Sequence, residues 1–195
     1  MSRYFGSAVH AAFVVPDLEH QIQRLLASGE GPFYLMSRMR VAGRYRGKRH
    51  DALFSAAFVY SGGMQYEFIE QHDDTPSAYR EFLERHPEGG LHHLAYFCKT
   101  FDDAFAQAAK QGGTFDIVQE FISPDESAYE MYIEPADAPD PILTQLMVPS
   151  PLIAFFETME KAAATWKGNE PIRDALALLP AEMRPPQEPA SGTHA

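Results

Sequence analysis

Four polar residues sit where the sequence otherwise calls for apolar ones. His10 interrupts AVHAAFVV (8–15) and His93 interrupts LHHLAYFC (91–98). Glu67 lies within MQYEFIEQ (64–71), and Gln145 within DPILTQLMV (140–148). Two imidazoles, a carboxylate and an amide oxygen suit a divalent ion of intermediate hardness, such as Zn, Fe, Mn, Co or Ni. A single histidine in an apolar strand is more often a satisfied core residue. Two histidines in matching surroundings, each matched by an acid or amide, weaken that reading.

The elements that carry these residues follow from periodicity. Strands alternate their side chains with period 2, so each polar residue shares its face with its second neighbours. His10 goes with Ala8 and Ala12, Glu67 with Gln65 and Ile69, His93 with Leu91 and Ala95, and Gln145 with Leu143 and Met147. His92 is expected on the opposite face. The alanines leave room for a ligand. After the first strand, Asp17 caps a helix with Leu18, Ile22, Leu25 and Leu26 on one face, closed by Gly29. Strands at 32–41, 53–61 and 64–71 follow, the last two joined by a tight turn at Gly62-Gly63. The pattern recurs from residue 91 with a helix at 101–113 and three further strands.

The two halves superpose with a shift of 83 residues. His10 meets His93, Ala12 meets Ala95, Leu18 meets Phe101, Ile22 meets Phe105 and Gly29 meets Gly112. The predicted fold class is therefore α+β: two tandem βαβββ modules with C-terminal helices. The boundaries are a first module at 8–72, a connecting helix within 73–90 and a second module at 91–149. A helical extension is expected at 150–179 and a disordered tail at 180–195.

Composition narrows the partners. The 195 residues carry 16 Lys+Arg against 27 Asp+Glu, a net charge of −11. That disfavours nucleic acid and anionic membranes, which call for a basic face. The only cysteine, Cys98, permits no internal disulfide, and no apolar run spans a membrane, so a cytoplasmic location is expected. One local anomaly remains. Arg38, Arg40, Arg44, Arg46, Lys48 and Arg49 place six basic residues in twelve positions, where the first module is longer than the second. This stretch reads as a solvated loop. The sharper alternative is capture of an anionic small-molecule substrate by Arg44 and Arg46. Phe33, Tyr60 and Tyr132 are candidate pocket-lining aromatics.

The motifs HAAFVVPDLE (10–19), QYEFIEQ (65–71), GGLHHLAYF (89–97) and YIEPADAPDPILTQL (132–146) together resemble the vicinal oxygen chelate superfamily. That family includes glyoxalase I, methylmalonyl-CoA epimerase, extradiol dioxygenases and bleomycin-resistance proteins. GGLHH is similar to epimerase members, and GEGPFYL (29–35) to glyoxalase-like ones. The resemblance implies a curved mixed sheet forming a cup around one metal, with His10, Glu67, His93 and Gln145 as ligands. It implies a divalent-metal-dependent lyase or isomerase that stabilises an enolate or oxyanion of a small organic acid or carbonyl compound, and a homodimer. Gln145 departs from the usual glutamate, which counts against an extradiol-type dioxygenase. Retention of the ligands counts against a metal-free binding protein of the bleomycin-resistance type. The general base is expected among Glu67, Glu130 and Glu134. The region matching the epimerase base, Phe33–Gly47, holds no acid.

Overall fold

The computed structural model describes residues 1–138, 142–148, 152–179, 181 and 184–189. The first half runs β1 (His10–Val14), α1 (Leu18–Ala27), β2 (Phe33–Tyr45), β3 (Lys48–Ser61) and β4 (Met64–Gln71). After α2 (Ala78–Arg85), the same order returns as β5 (Gly90–Phe97), α3 (Phe101–Lys110), β6 (Phe115–Ile122), β7 (Ala128–Pro135) and β8 (Leu143–Met147). Then come α4 (Leu152–Ala164) and a short strand, β9 (Ile172–Asp174). Each of the first three helices starts at a side-chain cap. Asp17, Ser77 and Thr100 accept hydrogen bonds from the backbone N–H groups of His20, Arg80 and Asp103.

The strands form one sheet in the order β3-β4-β1-β5-β8-β7-β6-β2-β9, and β2 also pairs with β3. Eight strands therefore close into a ring. The modules meet at two seams. At the first, β1 and β5 run antiparallel, with Ala12 opposite His93. At the second, β2 meets β6, with Arg44 opposite Glu120. Gly43 makes the second seam possible, since a methyl group there would overlap the Glu120 carbonyl and the His50 ring.

Both faces of the sheet are covered. Outside, α1 packs Leu18 and Ile22 on Phe33 and Phe68, and α3 packs Phe101, Ala104 and Phe105 near Tyr96 and Leu146. Inside, α2 contributes Tyr79 and α4 contributes Phe155, Phe156 and Met159 to a cluster with Phe54, Phe58, Phe121 and Tyr132. No helix among the described residues is long and apolar enough to cross a membrane.

Three segments differ from expectation. The basic stretch is not a loop. It is the tip of a long β2–β3 hairpin that turns at Arg46-Gly47, both at positive φ. Residues 171–179 are not a second helix. Pro171 accepts a hydrogen bond from the Phe33 N–H, and Ile172–Asp174 pair in parallel with Phe33–Leu35, followed by one 3-10 turn at Leu176–Leu178. The open edge of β2 offers backbone partners that outweigh the helical apolar spacing of this short segment. Within the tail expected to be disordered, residues 184–189 lie along the next part of that edge. Arg40 N–H donates to Pro186, Glu188 N–H to Arg38, and Arg40 pairs with Glu188. Residues 180, 182–183 and 190–195 lie outside the described residues.

Candidate metal centre

Ala12 organises the site. It is fully buried on β1, opposite Glu67 on one neighbouring strand and His93 on the other. Its methyl group leaves space for both side chains to lean together, and His10 joins them from two residues back on the same face. His10 Nε2 lies 3.3 Å from Glu67 Oε2 and 3.4 Å from His93 Nε2. His93 Nε2 lies 3.5 Å from Glu67 Oε2. The three atoms form a nearly equilateral triangle. Ligands at about 2.0–2.2 Å from a tetrahedral ion are separated by roughly 3.3–3.6 Å, so the spacing fits a divalent metal. At these lengths the contacts are not well-aligned hydrogen bonds, and Glu67 Oε2 has no hydrogen-bond partner among the described residues.

Gln145 comes from β8, opposite Ala95. Its Nε2 donates to Glu130 at 3.0 Å and to the Tyr132 hydroxyl at 3.1 Å. Both donor positions are thereby used, which fixes the amide and leaves Oε1 buried without a hydrogen-bond partner among the described residues. The amide also sits against His93 and favours its charged form. An orphaned oxygen beside the triangle is what a fourth ligand requires. The residues present therefore fit a divalent metal, with Glu67 as the charged donor.

The charges behave accordingly. Burial alone would raise the Glu67 carboxyl, but the imidazoles of His10 and His93 outweigh it and hold the group at about 2. Burial pushes His93 down, opposed by Glu67. Burial, joined by the nearby Glu67 charge, pushes Glu130 up to about 8, with Gln145 opposing in part. Burial also raises the Tyr79 and Tyr132 hydroxyls well above their ordinary range. Those two are joined at 2.8 Å, and the Tyr132 ring stands edge-on to His93 at 4.9 Å.

The structure brings His10, Glu67, His93, Gln145, Glu130 and Tyr132 together. Tyr60 lies further along β3, accepting a hydrogen bond from Gln65, and is near Glu160 of α4. Phe33 is elsewhere, fully buried against α1 on the outer face. Arg44 and Arg46 are on the hairpin, committed to protein carboxylates: Arg44 to Glu120 and Glu126, Arg46 to Glu81 and Glu134. Glu134 is thereby tied to the hairpin rather than to the triangle. Cys98 is half-buried, its thiol pushed up to about 11 by burial, and lies away from the triangle on the α3 side of the sheet.

Three contributors escaped the sequence reading. Tyr79 reads as one of several apolar positions on its helix, and Phe156 of α4 stands edge-on to His10 at 6.0 Å. The third is His92. A bulge where β5 crosses β1 breaks the alternation, so His92 and His93 are both buried, with their Nδ1 atoms 2.9 Å apart.

The profile of the glyoxalase/bleomycin resistance protein/dioxygenase superfamily matches residues 9–127, more than half the chain, and the protein belongs to that superfamily. No curated protein matches the sequence. Among solved structures, methylmalonyl-CoA epimerase from Mycobacterium tuberculosis is 18% identical over 79% of this chain and 95% of its own, with a TM-score of 0.49. A mutant methylmalonyl-CoA epimerase from Streptomyces coelicolor, in complex with 2-nitronate-propionyl-CoA, is 17% identical over 75% and 99%, at 0.46. A mutant 4-hydroxymandelate synthase from Streptomyces coelicolor is 16% identical over 74% and 49%, also at 0.46.

Proposed function

We propose that the protein is a divalent-metal-dependent lyase or isomerase acting on a small carbonyl compound or organic acid. The observation that carries this reading is the buried His10–Glu67–His93 triangle with the unpartnered Gln145 oxygen beside it. His10, Glu67, His93 and Gln145 would hold a divalent ion, which would supply a Lewis acid for negative charge developing on a substrate oxygen. Glu130 is the group suited to move a proton. It touches Gln145 and is pushed up to about 8, near the working range of a general acid or base at neutral pH. Tyr132 and Tyr79, kept protonated by burial, hold Gln145 in place and close the wall behind His93.

His93 is fully buried, and the Phe156 ring of α4 stands edge-on to His10, so α4 lies against the site. A cytoplasmic, dimeric protein remains part of this proposal.

The test is metal content. Protein prepared without chelator should carry about one equivalent of a transition metal, and His93→Ala should lose it. Metal-free wild-type protein that also fails to take up Zn²⁺, Mn²⁺, Fe²⁺, Co²⁺ or Ni²⁺ would leave a metal-free binding protein instead. A second reading is favoured by the same triangle, since two histidines and one carboxylate also suit non-haem Fe²⁺ oxygenases. Oxygen uptake with catechols by the iron form would select it. Proton exchange at a substrate carbon, without oxygen uptake, selects the lyase or isomerase.

A further inference from the structure

β5 carries two adjacent buried histidines, and the metal site uses only the second. We infer that His92 is a positioning residue that fixes the tautomer of His93, so that a bare Nε2 faces Glu67 and His10. For two neutral rings the chain of contacts leaves one arrangement. His92 Nε2 lies 3.3 Å from the Ala78 carbonyl oxygen, which can only accept, so that nitrogen carries the proton. A neutral ring has one proton, and His92 Nδ1 is therefore an acceptor. It lies 2.9 Å from His93 Nδ1, which must donate. His93 then has no proton on Nε2, the atom 3.5 Å from Glu67 Oε2.

The relay is rooted in rigid structure. Ala78 opens α2, and its own N–H donates to Gln119 Oε1 at 2.9 Å, a side chain with no exposure. The His92 ring is clamped by Phe82 at 5.2 Å, Tyr79 at 5.4 Å and Tyr132 at 6.0 Å. His10 lacks such a relay: its Nδ1 is buried with no hydrogen-bond partner among the described residues. The two ligand histidines are therefore unequal. His93 is pre-set, and His10 is free to choose its tautomer.

The consequence for affinity rests on the metal reading above; the tautomer itself is a property of the metal-free chain. The test uses the full ¹⁵N-labelled chain, treated with chelator and then titrated with Zn²⁺ alone. Long-range imidazole spectra of the wild type should show His93 protonated on Nδ1 and bare on Nε2. His92→Leu should show mixed tautomers, with Zn²⁺ affinity about 10–100-fold lower in chelator competition. His92→Asn, whose Oδ1 takes the place of Nδ1, should recover affinity to within about threefold of wild type. A wild-type His93 protonated on Nε2 overturns the inference. So does a His92→Leu protein that keeps both the wild-type tautomer and the wild-type affinity. If His92→Leu does not fold, the wild-type spectrum and the Asn variant still decide. Wild-type protein that binds no Zn²⁺ refutes the metal reading, while the spectrum still judges the relay.

Discussion

Replacing Glu130 by Gln should remove a fall in folding stability that the wild type shows between mildly acid and mildly alkaline pH. The Glu130 carboxyl is pushed from an ordinary 4.5 up to about 8 by burial and by the Glu67 charge. A raised carboxyl binds its proton more tightly in the folded chain than in the unfolded one. Its contribution is therefore fully present below about 4.5 and is lost as pH climbs to about 8. Three and a half pH units at about 1.4 kcal/mol each set a ceiling of roughly 5 kcal/mol. Glu130 keeps some exposure, and solvent screens part of the effect, so about 2–4 kcal/mol is expected. Gln is nearly isosteric, and its oxygen still accepts from Gln145 Nε2, so the variant should fold. The assay is denaturant unfolding of chelator-treated protein from pH 5 to pH 9. The two proteins share every other titratable group, so the difference between the two curves isolates Glu130. Saturating metal should shrink that difference, because a cation beside Gln145 favours the ionised carboxylate. Parallel curves for the two proteins would show that Glu130 is not held protonated, and the proton-transfer role would go with it.

Other outcomes follow from the same contacts. Phe156→Ala should cost about 3–4 kcal/mol in denaturant unfolding and speed the loss of bound metal to a chelator, because the ring is buried over His10. Arg44→Ala with Arg46→Ala should leave binding of anionic ligands unchanged by calorimetry and cost about 1 kcal/mol or less per ion pair, since both forks already face protein carboxylates. Gly89→Ala should destabilise by more than about 2 kcal/mol in thermal unfolding. Gly89 sits at φ +75°, and an added methyl would overlap the Val14 carbonyl at the start of the first seam.

Much of the site was legible because strands report their facing. His10, Glu67 and Gln145 were placed from alternation, and Ala12, Gln65, Ile69, Leu143 and Met147 beside them are buried as that alternation requires. The repeat located His93. His92 was not legible, because a bulge inserts one residue into the alternation and leaves no mark in the side chains around it. The basic stretch misled through its charge. Met39 and Val41 alternate with Arg38, Arg40 and Ala42, a strand signal that charge counting overrides. Nothing local marks residues 172–174 and 186–188 as partners of β2. That pairing depends on an edge exposed about 140 positions earlier in the chain, and period-based reading does not reach so far.

The outer edge of β2 is shared among three distant segments: β9 beside Phe33–Leu35, residues 186–188 beside Arg38–Arg40, and β6 beside Gly43–Tyr45. During synthesis the strand emerges well before the first and second of these covers. Its unpaired backbone must wait for residues 172–188 to leave the ribosome, and such long-range closure is slow and open to wrong pairings. The growing chain is thus most vulnerable to aggregation after both modules have been made and before residues 172–174 and 186–188 have been delivered.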